Sequence, residues 1–260
     1  MLKMYITTPA ATMFMSSGEH RMGNKTPEVT VKDGSVRISI GREDISLPLQ
    51  PLPGQLLDWF IRGRKEGYES LLEGRGPGPL FSRHLPVVST TGEEGPFSTR
   101  LAHKGVGFLP QPQFLEEYIE RHEEVLARTK ELPRDLSLQQ RLETAAVLHD
   151  NPGSIDPGLL GSLEIFAGGT YANLMERPLA SLLFTDPGHG YRSFQLDCAV
   201  EMIEPPDPRF RFLQLARGLF ERDPFHVTQP GVHCAYLFWI TGIHDKTPHP
   251  VDEKNVRHKH

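Results

Sequence analysis

Between Phe194 and Met202 the chain alternates, with Phe194, Leu196, Cys198, Val200 and Met202 on one side and Gln195, Asp197, Ala199 and Glu201 on the other. Successive side chains of a strand point to opposite faces, so this period of two predicts a long half-buried strand between Tyr191 and Glu204. A different period runs from Phe114 to Leu132. There Leu115, Tyr118, Ile119, His122, Val125, Leu126 and Thr129 return every three or four residues, while Glu116, Glu117, Glu120, Glu123 and Glu124 fill the opposite side. That is the pattern of a surface helix with one apolar stripe.

Weaker patterns fill in the rest. Lys32-Asp33-Gly34 between Glu28–Val31 and Ser35–Ile40 predicts a hairpin, and Ile45–Leu49 a third short strand. Leu56, Trp59, Phe60, Tyr68 and Leu71 sit at helical spacing. Gly74 to Pro79 holds no regular structure and marks a boundary, with residues 1–75 a small α+β extension. Beyond it, 85–91 and 96–103 read as strand and strand around the turn Gly92 to Gly95. Ser137 with Gln140 three residues on predicts a capped helix reaching about His149, stopped by Asn151-Pro152-Gly153. Strands are expected at Leu159–Phe166, Leu179–Thr185 and Cys234–Ile243. Helices are expected at Thr170–Arg177 and after Asp207-Pro208, where Asp207 is the N-cap of a helix carrying Phe210, Phe212, Leu215 and Leu219. Residues 247–260 form a polar tail.

Composition narrows the class of partner. With 28 Lys plus Arg against 33 Asp plus Glu in 260 residues, the net charge of −5 argues against nucleic acid as a ligand. No apolar run approaches the roughly 20 residues of a membrane span, and the N-terminus, broken by Thr7, Thr8 and Pro9, is poor as a signal peptide. Cys198 and Cys234 lie in apolar runs, which excludes a disulfide framework and implies reduced core thiols in a cytoplasmic protein. Gly-x-Ser-x-Gly, Walker A and Gly-x-Gly-x-x-Gly are all absent, so hydrolase and nucleotide-kinase readings drop.

Chemistry has few candidates. Gly168, Gly169 and Thr170 open a helix, where free N–H groups favour an anion such as phosphate, although the same residues serve equally as a strand-to-helix turn with Thr170 as N-cap. Arg100, Arg177 and Arg192 are candidate anion contacts, each with the alternative of a solvated edge residue, and Ser193 projects opposite to Arg192. The histidines at 226, 233, 244 and 249, with Cys234, match no common zinc spacing, and no metal site is expected.

The order of these elements resembles the pyridoxamine 5'-phosphate oxidase-like FMN-binding split barrels. Gly-Gly-Thr-Tyr-Ala-Asn-Leu, then Glu-Arg-Pro-Leu-Ala-Ser-Leu-Leu-Phe, then Tyr-Arg-Ser-Phe-Gln-Leu-Asp-Cys-Ala-Val-Glu carry the resemblance, with Asn173-Leu174 on a short helix ending before Pro178. It covers roughly residues 80 to 245. The resemblance implies an α+β, mostly antiparallel split barrel over 76–246, with helices inserted at about 113–150. It further implies a homodimer with FMN in a groove between two barrels, acting as an oxidoreductase on a small-molecule substrate. Cofactor contacts would map to Arg100, Gly169, Thr170, Asn173, Arg192 and Ser193. The family's phosphate-contacting Lys is Thr170 here, and Cys198 replaces a common glycine. A non-enzymatic protein, or one holding haem or another tetrapyrrole through His189, His226 or His244, is therefore the alternative.

Overall fold

The structure is a computed structural model and describes residues 27–40, 43–76, 78–93, 96–188, 191–220 and 231–248. Strands β1 (Val29–Lys32), β2 (Ser35–Ile40) and β3 (Glu43–Pro48) form a small antiparallel sheet. Asp33 and Gly34 turn between β1 and β2 with φ of 50° and 72°, and this pair of left-handed residues matches the right-handed twist of the strands it joins. Val36 and Ile38 of β2 are fully buried against Ala199.

Helix α1 (Gly54–Leu72) follows, then α2 (Gly78–His84), β4 (Val87–Thr91), β5 (Thr99–His103) and β6 (Gly107–Pro110). Two inserted helices come next, α3 (Leu115–Arg128) and α4 (Arg134–Asp150). The remainder is β7 (Ile155–Glu164), α5 (Gly169–Glu176), β8 (Leu179–Asp186), β9 (Arg192–Ile203), α6 (Pro208–Gly218) and β10 (Cys234–Asp245). The seven later strands make one antiparallel sheet in the order β5-β4-β8-β9-β10-β7-β6, so the fold class is α+β as the patterns predict. The long alternating strand, β9, lies at its centre.

One core joins the large sheet to α1, α3 and α6, and it crosses residue 75 without a break. Phe60 of α1 meets Trp59 and Phe184 at ring-centroid distances of 4.8 Å each and Phe108 at 6.0 Å. Truncating such a ring to Ala costs about 3–5 kcal/mol. A second cluster lies among the helices, where Tyr68, Leu71, Val125, Leu142, Ala145 and Leu219 pack together. Arg141 staples it, its Nε donating to Thr129 Oγ1 at 2.8 Å and its Nη1 to the carbonyl of Gly218 at 3.1 Å.

Several boundaries differ from the sequence patterns. The stretch from Gly74 to Pro79 was expected to hold no regular structure, yet α2 begins at Gly78, just after two left-handed glycines, Gly74 and Gly76. Helix α4 starts at Arg134, not at Ser137. Extended Pro133 precedes it and Asp135 complements the first turn, while Ser137 is fully buried with its hydroxyl unpartnered and caps nothing. Strand β7 starts four residues before Leu159 because β6, too short to show a period, pairs with Ile155 through Pro110. Asp207 does cap α6, accepting from the Arg209 N–H at 2.8 Å. No helix among the described residues is long and apolar enough to cross a membrane.

Candidate functional site

The inserted helices enclose more than core. A cavity of about 440 Å³ lies between α1, α3, α4, α6 and the β6–β7 edge of the large sheet. Phe108, Leu148, Phe212 and Leu213 give it apolar walls, and Arg64, His122, His149 and Ser162 face it as polar groups. The helical period puts them there. His122 occupies the buried stripe of α3 with Tyr118, Ile119 and Val125, and His149 stands one turn beyond Ala145 on the buried face of α4.

His149 is held in a single tautomer. Its Nδ1 lies 3.0 Å from the carbonyl oxygen of Ala145, and since a carbonyl only accepts, Nδ1 carries the proton and Nε2 keeps a lone pair. That Nε2 is buried without a partner. Burial, then the nearby charge of Arg64, pushes the imidazole down to about 3, so it is neutral at physiological pH. His122 is lowered to about 4, by burial first and Arg121 second. Its ring stacks on Phe212 at 5.2 Å, and its Nδ1 has no partner either.

Among the described residues eight buried side-chain atoms lack a hydrogen-bond partner, and four of them belong to cavity residues: Arg64 Nε, His122 Nδ1, His149 Nε2 and Ser162 Oγ. Native interiors contain few such atoms, each costing about 1–3 kcal/mol. These four atoms are fully enclosed by neighbouring side chains, although the residues that carry them line the cavity. Arg64 adds a buried cation. It donates to the carbonyls of Val106 at 2.6 Å and Arg83 at 3.1 Å, both uncharged, and its guanidinium lies 5.2 Å from the centre of the Phe108 ring.

Glu164, the last residue of β7, directly precedes the cavity-lining Ile165 and Phe166. Its buried carboxylate accepts from Lys104 Nζ at 2.6 Å, Tyr236 OH at 2.7 Å and the N–H groups of Phe166 and Ala167 at 2.9 and 3.0 Å. Burial opposes its charge, but the bonds from Lys104, Tyr236 and Phe166 outweigh burial and hold it below the usual carboxylate range. These bonds fix the turn that carries the cavity-lining Ile165 and Phe166.

The residues implied for FMN fall into two groups. Arg100, Gly169, Thr170 and Asn173 gather where α5 meets the β4–β5 hairpin. A Cβ on Gly169 would lie 3.1 Å from Arg100 Cδ, so the Arg100 stem packs on the helix start, and its guanidinium bonds to the carbonyl of Phe97. Thr170 is buried and is not the N-cap. Gly168 is, with no side-chain cap bond. Asn173 is committed to the hairpin, donating to the carbonyls of Thr90 and Ser98, each at 3.1 Å.

Arg192 and Ser193 lie elsewhere. Ala180 of β8 pairs with Thr90, which pairs with Arg100, whereas Arg192 pairs with Asp186. Six residues of strand separate the two groups by roughly 20 Å within one chain. Arg192 is exposed, and the Ser193 backbone is bonded to Lys246 and Thr247. Of the histidines proposed for haem, His244 is on the surface, bonded through Nε2 to Asp197 Oδ2 at 2.9 Å. His189 and His226 lie outside the described residues, as do His249, residues 1–26, part of the Gly92–Gly95 turn and all but the first two residues of the 247–260 tail.

Among the described residues no group of three His, Cys, Asp or Glu could hold a metal ion. Both cysteines are buried and free, with the Cys234 thiol pushed up to about 12 by burial and then by Glu164, and the Cys198 thiol raised by burial and then by Asp197. The cavity histidines were visible in the sequence only as imidazoles on apolar helix faces. That was the available signal, and nothing in spacing joins positions 122 and 149.

No family model matches the chain, and no curated protein matches it. Among solved structures, the chain is similar to HupZ of Group A Streptococcus, at 10% identity over 65% of this chain and 89% of that one, with a TM-score of 0.37. It is similar to an FMN-binding protein from Syntrophomonas wolfei subsp. wolfei, at 11% identity over 75% and 94% with a TM-score of 0.36. HutZ, the heme storage protein from Vibrio cholerae, aligns at 10% identity over 70% and 90% with a TM-score of 0.32.

Proposed function

We propose that this chain is a cofactor-binding protein of the split-barrel type whose ligand sits in the cavity beneath the inserted helices. The observation that carries this reading is a largely apolar space of about 440 Å³ walled by Phe108, Leu148, Phe212 and Leu213, with Arg64, His122, His149 and Ser162 among its lining residues. That combination, apolar walls with a few convergent polar groups, is what orients a small molecule and excludes competitors. FMN and haem are the two cofactors to test.

A second reading keeps FMN at the start of α5. It is favoured by the N–H groups after Gly168, which no side chain caps, beside Arg100 and Thr170. Flavin would supply hydride chemistry there. Asn173 holds the hairpin against this helix, and Arg192 with Ser193 would join the site only from a second copy of the chain. Leu101 and Leu183, exposed on β5 and β8, support such a homodimer, and the reduced buried thiols support a cytoplasmic setting.

The test is an absorbance spectrum of purified protein followed by separate titrations with FMN, read by flavin fluorescence, and with hemin, read in the Soret region. Saturable binding of either supports a cofactor-binding protein. A flat spectrum with no saturation by either rejects it.

A further inference from the structure

We propose that the cavity takes an amphipathic monocarboxylate, a hydrocarbon chain ending in one carboxylate, with its head at Lys104 and its body among Phe108, Leu148, Phe212 and Leu213. The inference rests on the reading that the cavity holds the protein's ligand, and it names a ligand class that is neither flavin nor tetrapyrrole.

The body is set by what the interior withholds. A volume of about 440 Å³ is within the roughly 300–1,000 Å³ of small-molecule pockets. The unpartnered polar atoms of Arg64, His122, His149 and Ser162 are enclosed by their neighbours, and the Arg64 Nη groups are taken up by the carbonyls of Val106 and Arg83 and by His84. A ligand with polar atoms along its body would give up water there and gain few hydrogen bonds in return. Methylene groups carry no such cost, and their burial is favourable.

The head is set by charge. Arg64, Lys104 and Arg217 line the cavity, and among the described residues no Asp or Glu does, in a chain whose net charge is −5. The hydrogen-bond partners of the buried Arg64 are two carbonyls and an imidazole, so no carboxylate cancels its field, which favours an anion nearby. Lys104 supplies the contact. Its ammonium has three donors and gives one to Glu164, at 2.6 Å. Glu164 accepts three further bonds, from Tyr236 and from the N–H groups of Phe166 and Ala167, so it stays hydrogen-bonded while Lys104 turns a second donor to a ligand. Lys104 also stands where the lining reaches solvent, between exposed His103 and Gly105. A carboxylate held there keeps part of its water while the chain behind it is buried.

The experiment is calorimetric titration of the full chain with decanoate, decanol and decylammonium, each below its micelle concentration, with hemin and FMN titrated in parallel. The wild type is expected to bind decanoate saturably and at least about tenfold more tightly than either analogue. Leu148→Phe, which fills part of the cavity, should weaken decanoate by at least about tenfold. Lys104→Met combined with Glu164→Gln removes the contact without stranding a charge. It should erase the preference for decanoate over decanol while decanol still binds, which shows that the variant is folded, and Lys104→Arg should keep the preference. Equal affinity of the wild type for decanoate and decanol would overturn the carboxylate. Decanoate binding untouched by Leu148→Phe would overturn the cavity as its place, and a preference that survives the double variant would overturn Lys104. Binding of hemin or FMN without decanoate would overturn the ligand class and leave the cofactor reading standing. Binding of none of them overturns both.

Discussion

Asn173 on α5 donates its amide to the carbonyl oxygen of Thr90 on β4, and it makes a second bond of the same length, 3.1 Å, to the carbonyl of Ser98 across the hairpin. One side chain thus holds the helix against both arms of the β4–β5 hairpin. Removing it takes away both bonds in a mostly buried place, although the Ser98 carbonyl still accepts from the Gly92 N–H at 3.1 Å. Asn173→Ala is expected to lower stability by about 1–3 kcal/mol. Urea unfolding measures this, and an unchanged midpoint would show that the hairpin does not depend on the clamp.

Glu164 and the cavity-lining Lys104 form an enclosed ion pair, with side-chain exposures of 2% and 12%. Breaking one side of such a pair strands the other charge, which costs about 3–5 kcal/mol, more than the pair itself contributes. Lys104→Met should therefore destabilise far more than Lys104→Met combined with Glu164→Gln. Thermal melts of the single and double variants decide it, and equal losses would contradict a stranded carboxylate.

Ser162 carries a buried hydroxyl without a partner. In the ligand-free protein Ser162→Ala removes that liability, so stability should stay level or rise by up to about 1 kcal/mol. In the presence of a saturating cofactor the same change should lower stability relative to wild type. Paired denaturation curves with and without hemin or FMN test the reversal, and identical shifts in both would disconnect Ser162 from the ligand.

The two cavity histidines make the fold sensitive to mild acid. Their folded-state values of about 3 and about 4 lie below the ordinary 6.5, so between those limits the unfolded chain binds protons that the folded chain refuses. Stability is fully present above pH 6.5 and falls as pH drops, by roughly 1.4 kcal/mol per pH unit for each histidine. Glu164, Asp197 and Asp207, all held low, add to the loss only below the usual carboxylate range. Urea midpoints at pH 7.5 and 5.0 should differ clearly in the wild type and by about half as much in His122→Phe. Equal differences would mean that His122 is not refused a proton.

Thr170→Val and Arg192→Ala separate the two FMN arrangements. If flavin phosphate sits at α5 within one chain, only Thr170→Val should weaken binding, by about 1–3 kcal/mol. Loss in both variants requires a site completed by a second copy, because the pairing register keeps Arg192 at the far end of β8. Unchanged affinity in both would remove this site.

The sequence by itself determined the elements whose pattern is local and long. The alternation of Phe194 to Met202 became β9, the stripe from Leu115 to Val125 became α3, Asp33-Gly34 became a left-handed turn, and Asp207 became an N-cap. Each follows from a period or a dihedral preference that neighbours in sequence impose. The tertiary structure decided the rest. Strand β6 is four residues long and exists only because β7 supplies its hydrogen bonds. The Ser137 pattern was overridden because packing buries that residue inside a helix started by Pro133. Arg100 and Arg192, equivalent as sequence candidates, are separated by the register of β4, β8 and β9. His122 and His149 become one site because two helices, each needing to bury its own apolar face, close over the same edge of the sheet. A period specifies which face of a helix turns inward, and only packing specifies what it meets there.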